Sequence, residues 1–472
     1  MEMLWRYWRR ILQFIMIWSM INQNVKTFYT FTGLQSLGRG IWMGNILSLY
    51  IVLLAESSTG ILGLTPNELL GSTSAVTGVA MLVSVLPGGV LADKWSIKGT
   101  LMLAAFLGSV GLGMLAFGSG LSAIVLGLFF WGLFQGLSRP AAETMLANST
   151  VSGERSSIYA RAHVIDQIGM GTGPLLNIIL FLVLGDRWEL PILQRVMLVG
   201  ILFSFASALV LLNVRKEHSL GDESEALDRG HDARLKPSSG PDTGQSSGDA
   251  GAVTGRQVRR EKFRQGAGRF IPHVFLASSF IIGFGAGMTV KFFPVFFRSI
   301  YGFQPIAVQI VMGVGLLFTA AATMAAQKLS VKRGRAEMIV GLQSLSIASL
   351  VGMAFYPSVW LIIPLFIFRG ALMNATTPLS RTIVMDYVPK KRRGVWSSLQ
   401  TVAWGLFWNV SAMLGGFLIG DDNFRFAYLI TAGIYVLGTV IIIPLIPLIH
   451  REQGSVAPAP APPVEKVIPA GK

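Results

Sequence analysis

Charged side chains inside long apolar segments are the residues of this sequence that suggest chemistry. Five are cationic and two are acidic: Arg39, Arg139, Lys291, Arg369, Arg381, Glu143 and Asp166. Ionisable groups are costly in a segment that crosses a membrane, so they normally face a cavity or one another. If most of them face a cavity, its positive charge favours an anion, and guanidinium groups bind carboxylate or phosphate through paired hydrogen bonds.

The same charges also allow a purely structural interpretation. Arg139 could pair with Glu143, and Arg381 with Asp166 or Asp386, which would leave a nearly neutral cavity. Both interpretations are compatible with the sequence. Glu143 and Asp166 are the candidates for proton coupling, because a carboxyl group sheltered from water binds a proton more readily, although either could only form a salt bridge.

Twelve apolar segments carry these charges. Of 472 residues, 52% are hydrophobic and only 13% are charged, which is about half the charge of a typical soluble protein. A helix of about 20 apolar residues spans a bilayer. The predicted spans 1 to 12 cover residues 29–55, 66–91, 99–118, 121–147, 158–184, 191–213, 271–297, 306–327, 337–356, 358–386, 394–420 and 426–449.

Basic residues predict the orientation of the spans. The loops after spans 2, 4, 8 and 10 contain twelve Lys and Arg residues, whereas the loops on the opposite side contain only Arg187, Arg298 and Arg425. Cytoplasmic loops are enriched in Lys and Arg, so we expect both termini in the cytoplasm, and we favour the plasma membrane over an organelle membrane. The net charge of +15 mostly reflects this bias, and we expect no nucleic-acid partner.

Composition divides the chain into five parts. Residues 1–28 begin with basic and aromatic side chains and predict an interfacial helix on the cytoplasmic side. Residues 29–213 and 270–449 form two bundles of six spans. Residues 214–269, rich in Gly, Ser, Asp and Arg, predict a disordered cytoplasmic linker, and residues 450–472 predict a disordered Pro- and Ala-rich tail.

An internal repeat relates the two bundles. A shift of 238 residues places Gly132 on Gly370, Pro140 on Pro378, and the loop 93–96 on 331–334. One offset without gaps covers spans 2 to 5 against spans 8 to 11, which indicates a duplication. The paired prolines predict a bend shared by spans 4 and 10.

The loop between spans 2 and 3, "GGVLADKWSIK", resembles the signature of the major facilitator superfamily. The matching residues are Gly89, Asp93, Lys94 and Lys98, while Ser96 and Ile97 depart from it. A degenerate second copy, "QKLSVKRGRA", follows span 8. In that family such loops hold the two halves together when the site faces outward. Asp93 would then dock on the N-terminus of span 11 near Gly394, or pair with Arg155; the alternative is an ordinary interfacial carboxylate.

The "GMGTGP" stretch of span 5, which includes Gly169, Gly173 and Pro174, resembles the glycine-rich signature linked to antiporters in the same family. Asn177 and Ile178 stand where the family's trailing glycines would be. These glycines predict close packing of span 5 on a neighbouring helix. They are at least equally compatible with packing that has no bearing on the direction of transport.

The resemblance implies an all-α membrane protein of twelve helices in two pseudo-symmetric bundles, with spans 1, 4, 7 and 10 lining a central cavity. Trp131, Gln135, Arg139 and Glu143 recur every four residues on span 4, so they share one stripe. Spans 10 and 11 add polar and aromatic side chains. The predicted substrate site consists of Arg39, Gln135, Arg139, Lys291, Arg369, Asn374, Trp404 and Trp408.

These features predict a secondary transporter that works by alternating access as a monomer. We expect a small solute as partner, an organic anion or a phosphorylated metabolite, with protons as the coupling ion and membrane lipid around the spans. The alternatives are a proton-driven efflux antiporter for neutral or cationic compounds, or a transport-inactive receptor or scaffold. We expect no enzyme activity, cofactor or metal, because the chain has no cysteine, no metal-ligand spacing and no phosphate-binding loop.

Overall fold

The computed structural model is helical throughout its spans and describes residues 21–57, 63–118, 120–150, 155–215, 219–220, 255–388 and 393–453. In chain order, spans 1 to 12 are Gln23–Trp42 with Asn45–Ser57, Pro66–Lys94, Ile97–Phe117, Leu121–Asn148, Arg155–Leu184, Leu190–Val210, Gly255–Val290 with Phe293–Tyr301, Pro305–Arg333, Arg335–Met353, Val359–Tyr387, Arg393–Ile419 and Phe424–Val440. Short helices Leu211–Asn213, Ile443–Leu445 and Ile446–Gln453 follow spans 6 and 12.

Eleven helices in the described part of the chain are long and apolar enough to cross a membrane. The predicted span 11 lies in the helix Arg393–Ile419, where the apolar stretch is the shorter Phe407–Ile419. The all-helical membrane fold is therefore confirmed, while the crossing of span 11 stays a prediction.

The segments outside the bundles are described in part. Residues 1–20 of the predicted interfacial helix and residues 454–472 of the predicted tail lie outside the described residues. The first helix of span 7 begins at Gly255, inside the predicted linker. At the other end of the linker, the backbone N–H of Arg215 donates to Asn24 Oδ1 and that of Leu220 to the Asn148 carbonyl.

Side-chain caps define where the helices of the signature region begin. Thr65 and Glu68 form a reciprocal capping box, with Pro66 at the first helical position of span 2. Ser96 caps span 3, because its Oγ accepts the Gly99 N–H at 2.8 Å. The serine that departs from the family signature therefore starts the next helix.

Spans 1 and 7, the first helices of the two halves, are each broken into two pieces. Span 1 is interrupted at Met43–Gly44 and span 7 at Lys291–Phe292. In span 7, Pro294 has no N–H to donate to the carbonyl of Val290, and the first piece ends at Val290. Broken helices at corresponding places are typical of transporters, where they surround the substrate site.

The two halves meet along spans 2 and 11 and along spans 5 and 8. The first pair is in contact from Asn67 and Gly416 to Met81 and Gly405. We call the end with loops 1–2, 5–6, 7–8 and 11–12 the outer end, and the other the inner end. At the outer end Arg298 donates two hydrogen bonds to Glu56, at 2.7 and 2.8 Å. The contacts between the halves thus join their outer parts.

Other loop contacts strengthen this outer seam. Trp188 Nε1 donates to the Phe303 carbonyl at 2.7 Å, and Asp186 accepts the N–H of Ile306 at 2.9 Å. Asn67 donates to the Gly420 carbonyl and to Asp422. Each contact joins one half to the other.

The glycines of span 5 lie against span 1. A Cβ on Gly173 would stand 2.3 Å from the Gly40 carbonyl carbon, and one on Gly169 would stand 2.9 Å from Ser36 Cβ. Both positions therefore allow the two backbones to approach closely. The close approach also brings Ser36 and Arg39 of span 1 next to span 5.

Replacing Gly173 by alanine is expected to destabilise the protein by about 1–3 kcal/mol, because the new methyl group overlaps backbone that cannot move aside. Gly171→Ala is the matched control, since a Cβ there meets no described atom within 4 Å. Apparent melting temperatures in detergent would measure the difference. Equal melting temperatures for the two variants would contradict the packing described for span 5.

Candidate functional site: a cationic cluster between the halves

Arg39, on the inner side of the break in span 1, forms an ion pair with Asp166 of span 5. Arg39 Nη2 lies 3.6 Å from Asp166 Oδ1 and 3.6 Å from the sulfur of Met170. The Ser36 hydroxyl donates a hydrogen bond to the same carboxylate oxygen. The side chains of Arg39 and Asp166 are 17% and 33% exposed, so neither is fully buried by the surrounding protein.

Arg139 of span 4 contributes a second guanidinium group to this cluster. It lies close enough to Arg39 for the two positive charges to repel each other. None of the ion pairs between described residues joins Arg139 to Glu143, although one helical turn separates them. The cluster thus contains two guanidinium groups, one of which is paired with the Asp166 carboxylate.

The proposed structural pairs are replaced by others. Asp166 pairs with Arg39, and Asp386 pairs at 2.6 Å with Arg335 at the inner surface. Arg381 is exposed and has no part in either pair. None of the pairs proposed from the sequence is among the ion pairs that join described residues.

Trp131 and Gln135 of the span 4 stripe are more deeply buried than Arg139. Trp131 is fully buried and its ring meets that of Trp42 edge-on, with centroids 5.4 Å apart. Gln135 is 6% exposed, and Glu143 is half-buried. The Trp42–Trp131 pair therefore lies on the outer side of the cluster, since Trp42 is the last residue before the break in span 1.

Lys291 stands at the break in span 7. Its Nζ donates a hydrogen bond of 2.6 Å to Asn409 Oδ1 of span 11. Asn409 packs against span 2, where a Cβ on Gly78 would lie 2.5 Å from Asn409 Cβ. Lys291 therefore lies where span 7 of one half approaches span 2 of the other.

Arg369 of span 10 is buried inside the C-terminal half. It is 5% exposed, its Nη2 donates to Tyr435 of span 12 at 2.7 Å, and its guanidinium lies 4.9 Å from the Phe293 ring centroid. A hydroxyl and an aromatic face partly compensate a buried cation. Phe293 directly follows the break in span 7, so Arg369 packs against the residue at which the second piece of span 7 begins.

The other predicted site residues are distributed as follows. Asn374 is exposed and donates to the Gly370 carbonyl of its own helix. Trp408 is half-buried. The side chain of Trp404 lies outside the described residues. Their part in binding stays a prediction.

The loop between spans 2 and 3, which is predicted to hold the two halves together, lies at the inner end of the protein. Lys94 is exposed and Lys98 is half-buried, and a Cβ on Gly89 would meet no described atom within 4 Å. The side chains of Asp93 and Arg155 lie outside the described residues. The contact of Asp93 with span 11 or with Arg155 remains a prediction.

Three amide side chains between the halves escaped sequence reasoning as a group. Gln309 Oε1 of span 8 lies 3.3 Å from Asn45 Nδ2 of span 1 and 3.4 Å from Asn177 Nδ2 of span 5. Asn177 and Gln309 are fully buried. Asn177 is about 16 Å along its helix from Asp166, toward the outer end. This amide cluster therefore closes the site on its outer side.

Leucine at position 309 is expected to weaken the outer closure, because both amide donors lose their shared acceptor across the interface, at about 1 kcal/mol for each hydrogen bond. The chain has no cysteine, so a single cysteine in place of Gly313 can be labelled selectively. A Cβ at this position would lie 3.7 Å from Pro174 of span 5, so the label reaches it when spans 5 and 8 separate. Labelling by an impermeant maleimide from the outer side should accelerate about tenfold.

The control for this change is Gln343→Leu. Gln343 is equally a buried glutamine, but it accepts its hydrogen bond from Thr439 within the C-terminal half. Labelling of the Gln309 variant at the rate of the Gln343 variant would show that the amide cluster does not hold the halves together.

The predicted repeat extends to individual hydrogen bonds. Pro140 and Pro378 both lie inside helices, and four residues later the hydroxyls of Thr144 and Thr382 donate back to the two proline carbonyls, at 2.9 and 2.6 Å. The two threonines are related by the same shift of 238 residues. Spans 4 and 10 thus repeat a local arrangement and not only a residue type.

The sequence matches the model of the Major Facilitator Superfamily over residues 28–355 and 275–470. The chain belongs to the major facilitator superfamily. As a member, it is a multi-pass membrane transporter, in agreement with the predicted fold and with the signature residues. No curated protein matches the sequence.

Solved structures of the superfamily have the same fold. A bacterial homologue of the human lysosomal transporter Spinster, in an inward-facing and unoccupied conformation, aligns with a TM-score of 0.64 and 12% identity over 93% of this chain and 98% of its own. The D-xylose–proton symporter aligns at 0.63 and 15% identity, over 89% and 96%. A mutant of the nucleoside transporter NupG aligns at 0.61 and 13%, over 90% and 100%.

Proposed function

We propose that this member of the superfamily is a secondary transporter of a small organic anion or phosphorylated metabolite, which it moves by alternating access. The observation that carries the proposal is the partly exposed Arg39, which pairs with Asp166 at 3.6 Å and lies close enough to Arg139 for the two positive charges to repel each other. Excess positive charge in a sheltered site attracts anions. Guanidinium groups fit carboxylate and phosphate oxygens in paired geometry.

Proton coupling in this proposal depends on Asp166. While it is ionised, its carboxylate occupies Arg39 and accepts a hydrogen bond from Ser36. A proton on Asp166 removes the charge that attracts Arg39, and the guanidinium becomes available to the substrate. Proton binding and anion binding would then favour each other. The amide cluster and the Glu56–Arg298 pair join the halves on the outer side of this site, which would be the side away from the cytoplasm if both termini are cytoplasmic.

The test is transport by the purified protein in liposomes. Anionic, neutral and cationic solutes would be screened with and without a pH gradient. We expect uptake of anions that a pH gradient increases. Transport of cationic compounds alone would instead identify an efflux antiporter, and no flux of any solute would favour a receptor or scaffold of the same fold.

A further inference from the structure

A second cation faces the interface from the C-terminal half. Lys291 is half-buried at the break in span 7, and none of the ion pairs between described residues includes it. Asn409 accepts one of its three ammonium hydrogens. A cation at this depth is costly without an anionic partner, and the remaining ammonium hydrogens can bind a further acceptor.

The breaks in spans 1 and 7 relate Lys291 to the Arg39–Arg139 cluster. They occur at Met43–Gly44 and Lys291–Phe292, and each lies at the interface of the halves. Arg39 is one helical turn to the inner side of its break, because its carbonyl accepts the Met43 N–H. One positive site thus stands on each half, at or next to the break in its first helix.

We propose that the substrate is a small organic dianion with charged groups at opposite ends, one bound by Arg39 with Arg139 and the other by Lys291. This inference rests on the proposed function and narrows its substrate class. A ligand that contacts both halves also links them. A dianion is preferred over a monoanion of the same length because only the dianion satisfies the charge of Lys291.

The test compares matched anions in proteoliposomes. The apparent affinities for the dianions succinate and glutarate would be compared with those for butyrate and valerate, monoanions of the same chain lengths, in the wild type and in Lys291→Gln. We expect the wild type to prefer the dianions. The substitution should weaken apparent dianion affinity by about tenfold or more, since a charged hydrogen bond is lost, and should weaken monoanion affinity less.

Two controls separate the possible failures. Lys291→Arg keeps the charge and should keep the preference, and retained monoanion uptake shows that Lys291→Gln is folded. Equal wild-type affinity for dianions and monoanions, or an equal loss of both in Lys291→Gln, would overturn the dianion proposal while anion transport stands. Absence of uptake of every anion by the wild type would overturn the proposed function itself.

Discussion

Uptake of the anionic substrate is expected to fall by about 100-fold or more when Arg39 is replaced by alanine, because two charge-assisted hydrogen bonds to the substrate are lost. Arg39→Lys should lose about tenfold, since an ammonium group keeps the charge but not the paired geometry. Initial rates of uptake in proteoliposomes measure both changes. Arg335→Ala is the matched control, because it removes an ion pair with Asp386 at the inner surface.

A double variant distinguishes substrate binding from charge compensation. If Arg39 only neutralises Asp166, then removing both charges by Arg39→Ala with Asp166→Ala restores uptake. If Arg39 binds the substrate, the double variant stays inactive. Restored uptake would remove Arg39 from the proposed site and leave it as the structural partner of Asp166.

Asp166→Asn is expected to abolish accumulation driven by a pH gradient and to preserve exchange of substrate across the membrane. The asparagine is neutral at all pH values, so Arg39 remains available while no proton is bound or released with each cycle. Uptake with an imposed gradient, and counterflow without one, measure the two activities separately. The expected result is accumulation no higher than at equilibrium, with counterflow close to that of the wild type.

Asp386→Asn is the control, since it neutralises the acid of an ion pair outside the site. Gradient-driven accumulation by Asp166→Asn would assign the coupling to another group, and Glu143 would be the next residue to test. Loss of counterflow together with accumulation would show that Asp166 acts in positioning Arg39 and not only in proton transfer.

The spans were predictable because the length and composition of each apolar segment are set by the membrane, and these are local properties of the sequence. Helical spacing also showed that Arg139 and Glu143 share a face. It did not show that Arg39 would pair with Asp166, because the choice of neighbour depends on packing between helices. The glycines of span 5 decide this, since their backbone contact with span 1 brings Asp166 beside Ser36 and Arg39.

Two features that the apolar pattern does not predict have a local signal in the sequence. Pro294 indicated the break in span 7, because proline cannot continue the backbone hydrogen bonds of the preceding turn. Asn177, first noted as a departure from a glycine signature, is a member of the amide cluster. The break in span 1 had no such signal, and the meeting of Asn45 with Gln309 required the placement of both halves.

The break in span 1 makes this helix a jointed lever. Arg39 belongs to the inner piece, whereas Asn45 and Glu56, which hold the outer closure, belong to the outer piece. Only Met43 and Gly44 connect the pieces, and a Cβ on Gly44 would meet no described atom within 4 Å. If Arg39 binds the substrate as proposed, a change of angle at this two-residue pivot would couple ligand binding on the inner piece to the outer closure without unwinding either helix.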